Sequence, residues 1–395
     1  MAKDENRALR ASNRNSFMIL GVLEAAWAPM VPYIKDRFDL DESQLGLLLL
    51  CSGLGGLITL PLAGYTVARL GSRRETAIFG TIISLSLLAI TLSPSLPLTA
   101  ALLFLFGVAT VCIDVSSNVN AVILEGIYKR PLMSGFHGGY SLGTIVGAAL
   151  VSTMLSAGFG LSPSAAVVAG IGIATVAFGC RHLISDVQKY DSAPSDTAGE
   201  DEPKHGRLRI PGTVIVIGLL CFFMYGSEGA VLSWSAVFAH EERGMSLEYA
   251  GYIYTSFAIT MTTMRFLGNR IVLKAGRRRT VFIGGLAVSA GFLVTLIPHA
   301  AFAALGFALV GLGAANVVPQ MVSFAGTVKG MPVHRIITVV NAIGYSGILL
   351  GPVIIGFVAK HMSIAAAFFG IAVVGIAVAL TNRHIMRPDN PAVRH

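Results

Sequence analysis

Charged residues are scarce in this 395-residue chain: Asp, Glu, Lys and Arg make up 13% of it, against 54% apolar residues, and the mean hydropathy is +0.71. Soluble domains carry about 25% charged residues. Half that fraction leaves too little polar surface to cover a water-facing globule of this size, which excludes a soluble enzyme, a disordered protein and a nucleic-acid binder. Cysteine is equally sparse. Cys51, Cys112, Cys180 and Cys221 all lie in apolar runs with no Cys-x-x-Cys spacing and no His partner, so neither a disulfide framework nor a zinc site is indicated. The chain also lacks a Gly-x-x-x-x-Gly-Lys-Ser/Thr loop and any metal-ligand cluster of His and Cys. Nucleotide-driven and cofactor chemistry have no residues to rest on.

What is present is a series of apolar runs, each near the ~20 residues that a helix needs to cross a ~30 Å hydrocarbon layer. There are twelve: 15–34, 44–67, 76–93, 98–123, 132–154 and 162–184, then 211–237, 249–272, 281–298, 301–324, 336–358 and 363–380. They are too long and unalternating for barrel strands, so each is expected to be a helix. The first has no Ala-x-Ala-like cleavage site and is longer than a signal-peptide core, so it reads as a retained helix. If residues 1–14 face the cytoplasm, 25 of the 29 Lys and Arg fall in cytoplasmic gaps, leaving only Lys35, Arg37, Arg243 and Lys360 outside. That asymmetry places both termini in the cytoplasm. It also accounts for the net charge of +8 as membrane orientation. The polar stretch 185–209 reads as a cytoplasmic linker between a six-helix bundle at 1–184 and a second at 210–395.

The two halves repeat at an offset of 205 residues. Gly46 meets Gly251, Arg69 meets Lys274, Gly71 meets Gly276, Arg73 and Arg74 meet Arg278 and Arg279, and Gly139-Tyr140-Ser141 meets Gly344-Tyr345-Ser346. Two like-oriented halves imply a pseudo-twofold axis along the membrane normal, with a polar cavity where they face each other. The sequence 64–74, with Arg69, Gly71, Arg73 and Arg74, resembles the loop signature Gly-x-x-x-Asp-Arg-x-Gly-Arg/Lys-Arg of the major facilitator superfamily, although Ala68 and, in the second copy, Leu273 stand at its acidic position. The resemblance spans nearly the whole chain and implies an all-α integral membrane fold of twelve helices in two pseudo-symmetric bundles. It also implies a carrier working by alternating access. In the family the acidic residue is implied to latch the cytoplasmic side, and both copies lack it. His137 to Thr144 and Glu228 to Trp234 resemble segments of the YbjJ-like branch of bacterial inner-membrane carriers.

A carboxylate at mid-membrane costs ~3 kcal/mol or more, so each needs a reason. Glu24, Asp114 and Glu228 lie inside the first, fourth and seventh runs. By resemblance those helices line the central cavity. Burial disfavours the charged form, so such a group can bind a proton on one side and release it on the other. A resemblance to the fucose-permease type of sugar/proton symporter supports Glu24 and Asp114 as the coupling pair, with Glu228 as a third candidate. The alternative is that these acids hydrogen-bond their neighbours and fix helix packing. Glu125, beside Lys129 and Arg130, reads as a surface ion pair.

Substrate contacts are expected from neutral polar groups at helical spacing: Asn118 one turn from Asp114, Asn316 with Gln320, Asn341 with Tyr345, and Tyr140 with His137. His137 reads equally as a proton shuttle or a structural cap. Trp234 reads as a sugar-stacking ring or an interfacial anchor. Arg265 either snorkels to the surface or pairs with a substrate carboxylate. The leading expectation is a monomeric, multi-pass carrier of the bacterial inner membrane, symporting protons with a small polar, sugar-like solute and using no cofactor or metal. Proton-antiport efflux of amphipathic compounds, and a non-transporting receptor on the same fold, stay open.

Overall fold

The computed structural model describes residues 3–128, 132–186, 210–329 and 333–386. Each apolar run within them is helical, because hydrocarbon offers backbone N–H and C=O groups no other partners. The first run forms α1 (Lys3–Ala25) and, past a break at Pro29, the short α2 (Val31–Arg37). The second and third share α3 (Glu42–Leu92); then come α4 (Leu96–Tyr128), α5 (Met133–Ser156) and α6 (Leu161–Ala174), the last ending in a π-turn at Thr175–Gly179. The second set comprises α7 (Gly212–Glu241), the single turn α8 (Leu247–Ala250), α9 (Tyr252–Ala275) and α10 (Arg277–Thr295). It continues with α11 (Ala300–Ala314), α12 (Val317–Ala325), α13 (Val333–His361) and α14 (Ile364–Ile385). All but the first two residues of the linker expected at 185–209 lie outside the described residues, as does the pairing expected of Glu125 with Lys129 and Arg130.

Among the described residues, nine helical spans are long and apolar enough to cross a bilayer. One of them, α3, has 51 residues, about twice what one crossing needs. Its helical path breaks at Gly71 (φ 74°, ψ 153°). Two further helices outside these nine, α9 and α10, meet at the Lys- and Arg-rich turn around Gly276. The arrangement is consistent with twelve crossings. Gly276 has φ 77° and ψ 155°, nearly the values of Gly71, so the 205-residue repeat extends from sequence to backbone. Only glycine adopts that region readily.

Glycine also sets how closely helices pack. A Cβ on Gly143 would lie 2.1 Å from the Met18 carbonyl, one on Gly147 2.1 Å from that of Val22, and one on Gly21 2.2 Å from that of Tyr140. These three positions press α1 against α5. In the second set, Gly347 brings α13 equally close to α7, its Cβ position being 2.0 Å from the Phe222 carbonyl. Basic residues gather at the end of the molecule that holds Arg69, Arg73, Arg74 and Arg277 to Arg279. Acidic ones gather at the other, around Asp36, Asp41, Glu42, Glu241 and Glu242. The two sets touch at this acidic end, where α2 meets α7, the start of α3 meets α13 and α5 meets α8, while α5 lies beside α9 from Thr153 and Tyr252 there to Gly138 and Phe266 in the basic half.

The paired turns separate two costs of adding a side chain. Gly276 has open space around its Cβ position, whereas a Cβ on Gly71 would lie 2.0 Å from the Ser185 carbonyl. Gly276→Ala is expected to cost ~1–3 kcal/mol of backbone strain alone. Gly71→Ala should cost more, and the ranking is checked by thermal unfolding of the purified variants.

Candidate functional site

Glu24 is the penultimate residue of α1, just before the chain turns towards Pro29. The glycine contacts between α1 and α5 bring Tyr140 within reach, and its hydroxyl donates to Glu24 Oε2 at 2.8 Å. Asp114 lies in the body of α4, and Asn118 one turn on donates its amide to Asp114 Oδ1 at 3.0 Å and to the Asp114 carbonyl at 2.8 Å. Glu24 and Asp114 lie within electrostatic range of each other. Among the described residues, each carboxyl thus accepts its hydrogen bond from a neutral donor.

The second set faces them with a different arrangement. Arg265 Nη2 lies 3.3 Å from Glu228 Oε2, the side chains being 38% and 18% exposed. Tyr225 stacks on Tyr345 with ring centroids 5.2 Å apart and planes at 27°. Tyr254 is buried. Electrostatic contacts cross between the sets: Arg265 with Tyr140 and His137, Tyr254 with Glu24, and Tyr345 with Asp114. His137 is exposed and turns its ring edge-on to Phe17 at 4.9 Å. Asn341 is half-buried one turn from Tyr345, and Gln320 is half-buried in α12. These contacts draw the groups into one polar cluster between the two sets, the place where a carrier of two facing halves would have its chamber. His137 and Arg265 are its exposed members, on the side of the basic end.

Two expected ligand contacts belong elsewhere. Trp234 has no exposed surface, and its indole N–H donates to the Pro352 carbonyl at 3.1 Å. It therefore wedges α7 against α13 and presents no ring face to a solute, and its full burial also removes the interfacial-anchor reading. Asn316 is 8% exposed and donates to the Met264 carbonyl at 2.9 Å, joining the α11–α12 break to α9. Arg265 neither snorkels alone nor waits unpaired, since Glu228 holds it. Near the missing acidic position Ala68, the Arg69 guanidinium lies 4.6 Å above the Tyr65 ring.

Three groups that the sequence reading does not single out also matter. Tyr225 precedes Glu228 by three residues, and Tyr254 precedes Arg265 by eleven, spacings that share a helix stripe. Glu75, which in sequence looks like part of a loop, is fully buried in α3. Its Oε1 accepts from the Thr66 hydroxyl at 2.7 Å, and its Oε2 has no hydrogen-bond partner among the described residues. The adjacent Arg73 and Arg74 disguise it.

Comparison with known proteins agrees with this architecture. The family model of the Major Facilitator Superfamily matches residues 16–329 and 244–395. An uncharacterized MFS-type transporter of Yersinia pestis is 39% identical over 381 residues, 96% of each chain. Among solved structures, a point variant of the nucleoside transporter NupG has a TM-score of 0.77 at 13% identity, covering 96% of this chain and 100% of that one. The D-xylose-proton symporter has 0.76 at 16%, covering 98% and 99%.

At the acidic end the two sets are strapped by ion pairs. Lys35 of α2 bonds Glu241 of α7 and lies 3.5 Å from Glu42, while Lys360 of α13 lies 3.1 Å from Asp41, the N-cap of α3. His240 Nε2 is 4.0 Å from Asp36 Oδ2. Asp41 also accepts from the Ser43 hydroxyl at 2.7 Å and the Gln44 N–H at 2.8 Å. The Ser43 hydroxyl first, then the Gln44 N–H and Lys360, hold its carboxyl well below the usual carboxylate range. A depressed value stabilises the folded form above the ordinary pKa of ~3.9 and ceases to do so only as pH falls through the lowered one. The Asp41–Lys360 contact should therefore persist from pH 7 to pH 5. Lys35→Gln with Lys360→Gln is expected to raise labelling of a cysteine placed beneath the strap several-fold. High salt should mimic the change in the unsubstituted protein by screening exposed pairs.

Proposed function

This chain belongs to the major facilitator superfamily, and from that premise we propose that it is a proton-coupled symporter of a small, hydroxyl-rich, sugar-like solute. It is a multi-pass membrane transporter and not an enzyme. The reading places it in the bacterial inner membrane with both termini and the basic end in the cytoplasm, following the Lys and Arg asymmetry. Both sets belong to one chain, which supports a monomer as the working unit.

The observation that carries the coupling is the pair Glu24 and Asp114, two carboxyls within range of each other whose donors are the neutral Tyr140 and Asn118. Neutral donors support a carboxylate without locking it as a salt bridge would, so the proton has somewhere to go and can return. Glu228, paired with Arg265, is freed of that duty. Proton and solute enter while the strap at the acidic end is open. Protonation removes the repulsion between the two acids, the halves rock about the chamber, and both leave through the mouth on the basic side. The hydroxyls of Tyr140, Tyr225 and Tyr345, with Asn118, Asn341 and Gln320, supply the exchangeable hydrogen bonds that a polyol needs. The names of the D-xylose-proton symporter and of NupG refer to hydroxyl-rich solutes, which makes D-xylose and uridine suitable first probes.

Proteoliposomes given an inward proton gradient are expected to accumulate one of these probes, and a protonophore should collapse the accumulation. Glu24→Gln and Asp114→Asn should each lose gradient-driven uptake at least about tenfold while keeping counterflow exchange, which needs no proton release. Uptake indifferent to the gradient in the unsubstituted protein would overturn the reading.

A further inference from the structure

We propose that Glu228 is a specificity residue: its ion pair with Arg265 closes the chamber to organic anions and leaves it open to neutral or amine-bearing hydroxyl-rich solutes. This rests on the symport reading above and narrows its substrate class.

Recognition of a carboxylate by arginine draws its strength from a free guanidinium edge that can take both oxygens. Arg265 does not offer its full edge, because Glu228 Oε2 lies 3.3 Å from Nη2. The other charged groups of the chamber make matters worse for an anion. Glu24 and Asp114 face it with Tyr140 and Asn118 as their donors. The cluster of Glu24, Asp114, Glu228 and Arg265 thus sets three carboxyls against one guanidinium, and His137, which faces Arg265, adds positive charge only when protonated.

Loading both coupling acids with protons does not change the outcome. It removes their repulsion, but Arg265 is still compensated, so an entering anion finds no net cation in either state of Glu24 and Asp114. A hydroxyl-rich neutral molecule pays no such penalty. It donates to carboxylate oxygens and accepts from the remaining guanidinium N–H groups and from tyrosine hydroxyls. An amine gains further from the acid excess. Discrimination of this kind works by an unfavourable term against the wrong solute as much as by contacts to the right one.

The test uses three pyranoses that differ mainly in charge: D-glucose, D-glucosamine and D-glucuronate. Each is titrated against the purified full-length protein while the thermal unfolding midpoint is followed, since a ligand that binds only the folded form raises it. Glucose and glucosamine are expected to stabilise the unsubstituted protein, with glucuronate at least about tenfold weaker in apparent affinity. Glu228→Gln frees the guanidinium and should narrow that gap several-fold. The exchange Glu228→Arg with Arg265→Glu, which keeps the pair, should preserve it and serves where Glu228→Gln fails to fold. Glucuronate binding the unsubstituted protein as well as glucose, or a gap unchanged in Glu228→Gln, would overturn the inference and leave the symport reading standing. No stabilisation by any of the three would instead remove the sugar-like substrate class itself, and the inference with it.

Discussion

A carboxyl group inside an apolar helix is tolerated only where polar partners meet it, and the contact between Glu24 and Tyr140 is the one on which the rest of this architecture depends. It joins α1 to α5 and fixes where the first set turns its polar face. It exists because Gly21, Gly143 and Gly147 let the two helices approach to distances that no Cβ would allow. Packing by small residues and placement of an acid are thus one device. The same logic in α4 keeps Asn118 one turn below Asp114.

The two sets have diverged around a shared frame. Their turns at Gly71 and Gly276 have matching dihedrals, and Tyr140 and Tyr345 occupy equivalent positions in the repeat. Yet Tyr140 serves a carboxyl, whereas Tyr345 stacks on Tyr225. One set offers acids with neutral donors and the other an acid held by arginine. A frame that is symmetric while its lining is not suits a carrier, because rocking needs matched halves and selective binding needs unmatched ones. In the strap at the acidic end Lys35 is largely enclosed, whereas the Lys360–Asp41 pair is exposed to solvent. An exposed pair of that kind is individually weak, which lets it form and break in a cycle.

Much of this was legible in the sequence for simple physical reasons. Run length, Lys and Arg asymmetry and the 205-residue repeat reflect the demands of a bilayer on any chain, and the twelve runs all fall on helices. The spacing of Asp114 and Asn118 is a property of one helix, so it was readable too. Trp234, Asn316 and Glu75 were not. In a soluble helix the buried face is apolar and the exposed face polar, but here lipid-facing and protein-facing surfaces have the same chemistry. Nothing in the sequence says that Trp234 points at Pro352 or that Asn316 points at Met264. Partners across the sets, such as Tyr254 with Glu24, depend on packing between residues more than two hundred positions apart.

The central claim is that two rigid sets exchange access around this chamber. It is tested most directly by electron-spin distance measurements on two label pairs, one across the acidic end at Ser95 and Glu248 and one across the basic end at Arg73 and Arg277. Shifting the conformational balance with pH and solute should lengthen one distance distribution while shortening the other. Distances that stay fixed at both ends, or lengthen together, would contradict it.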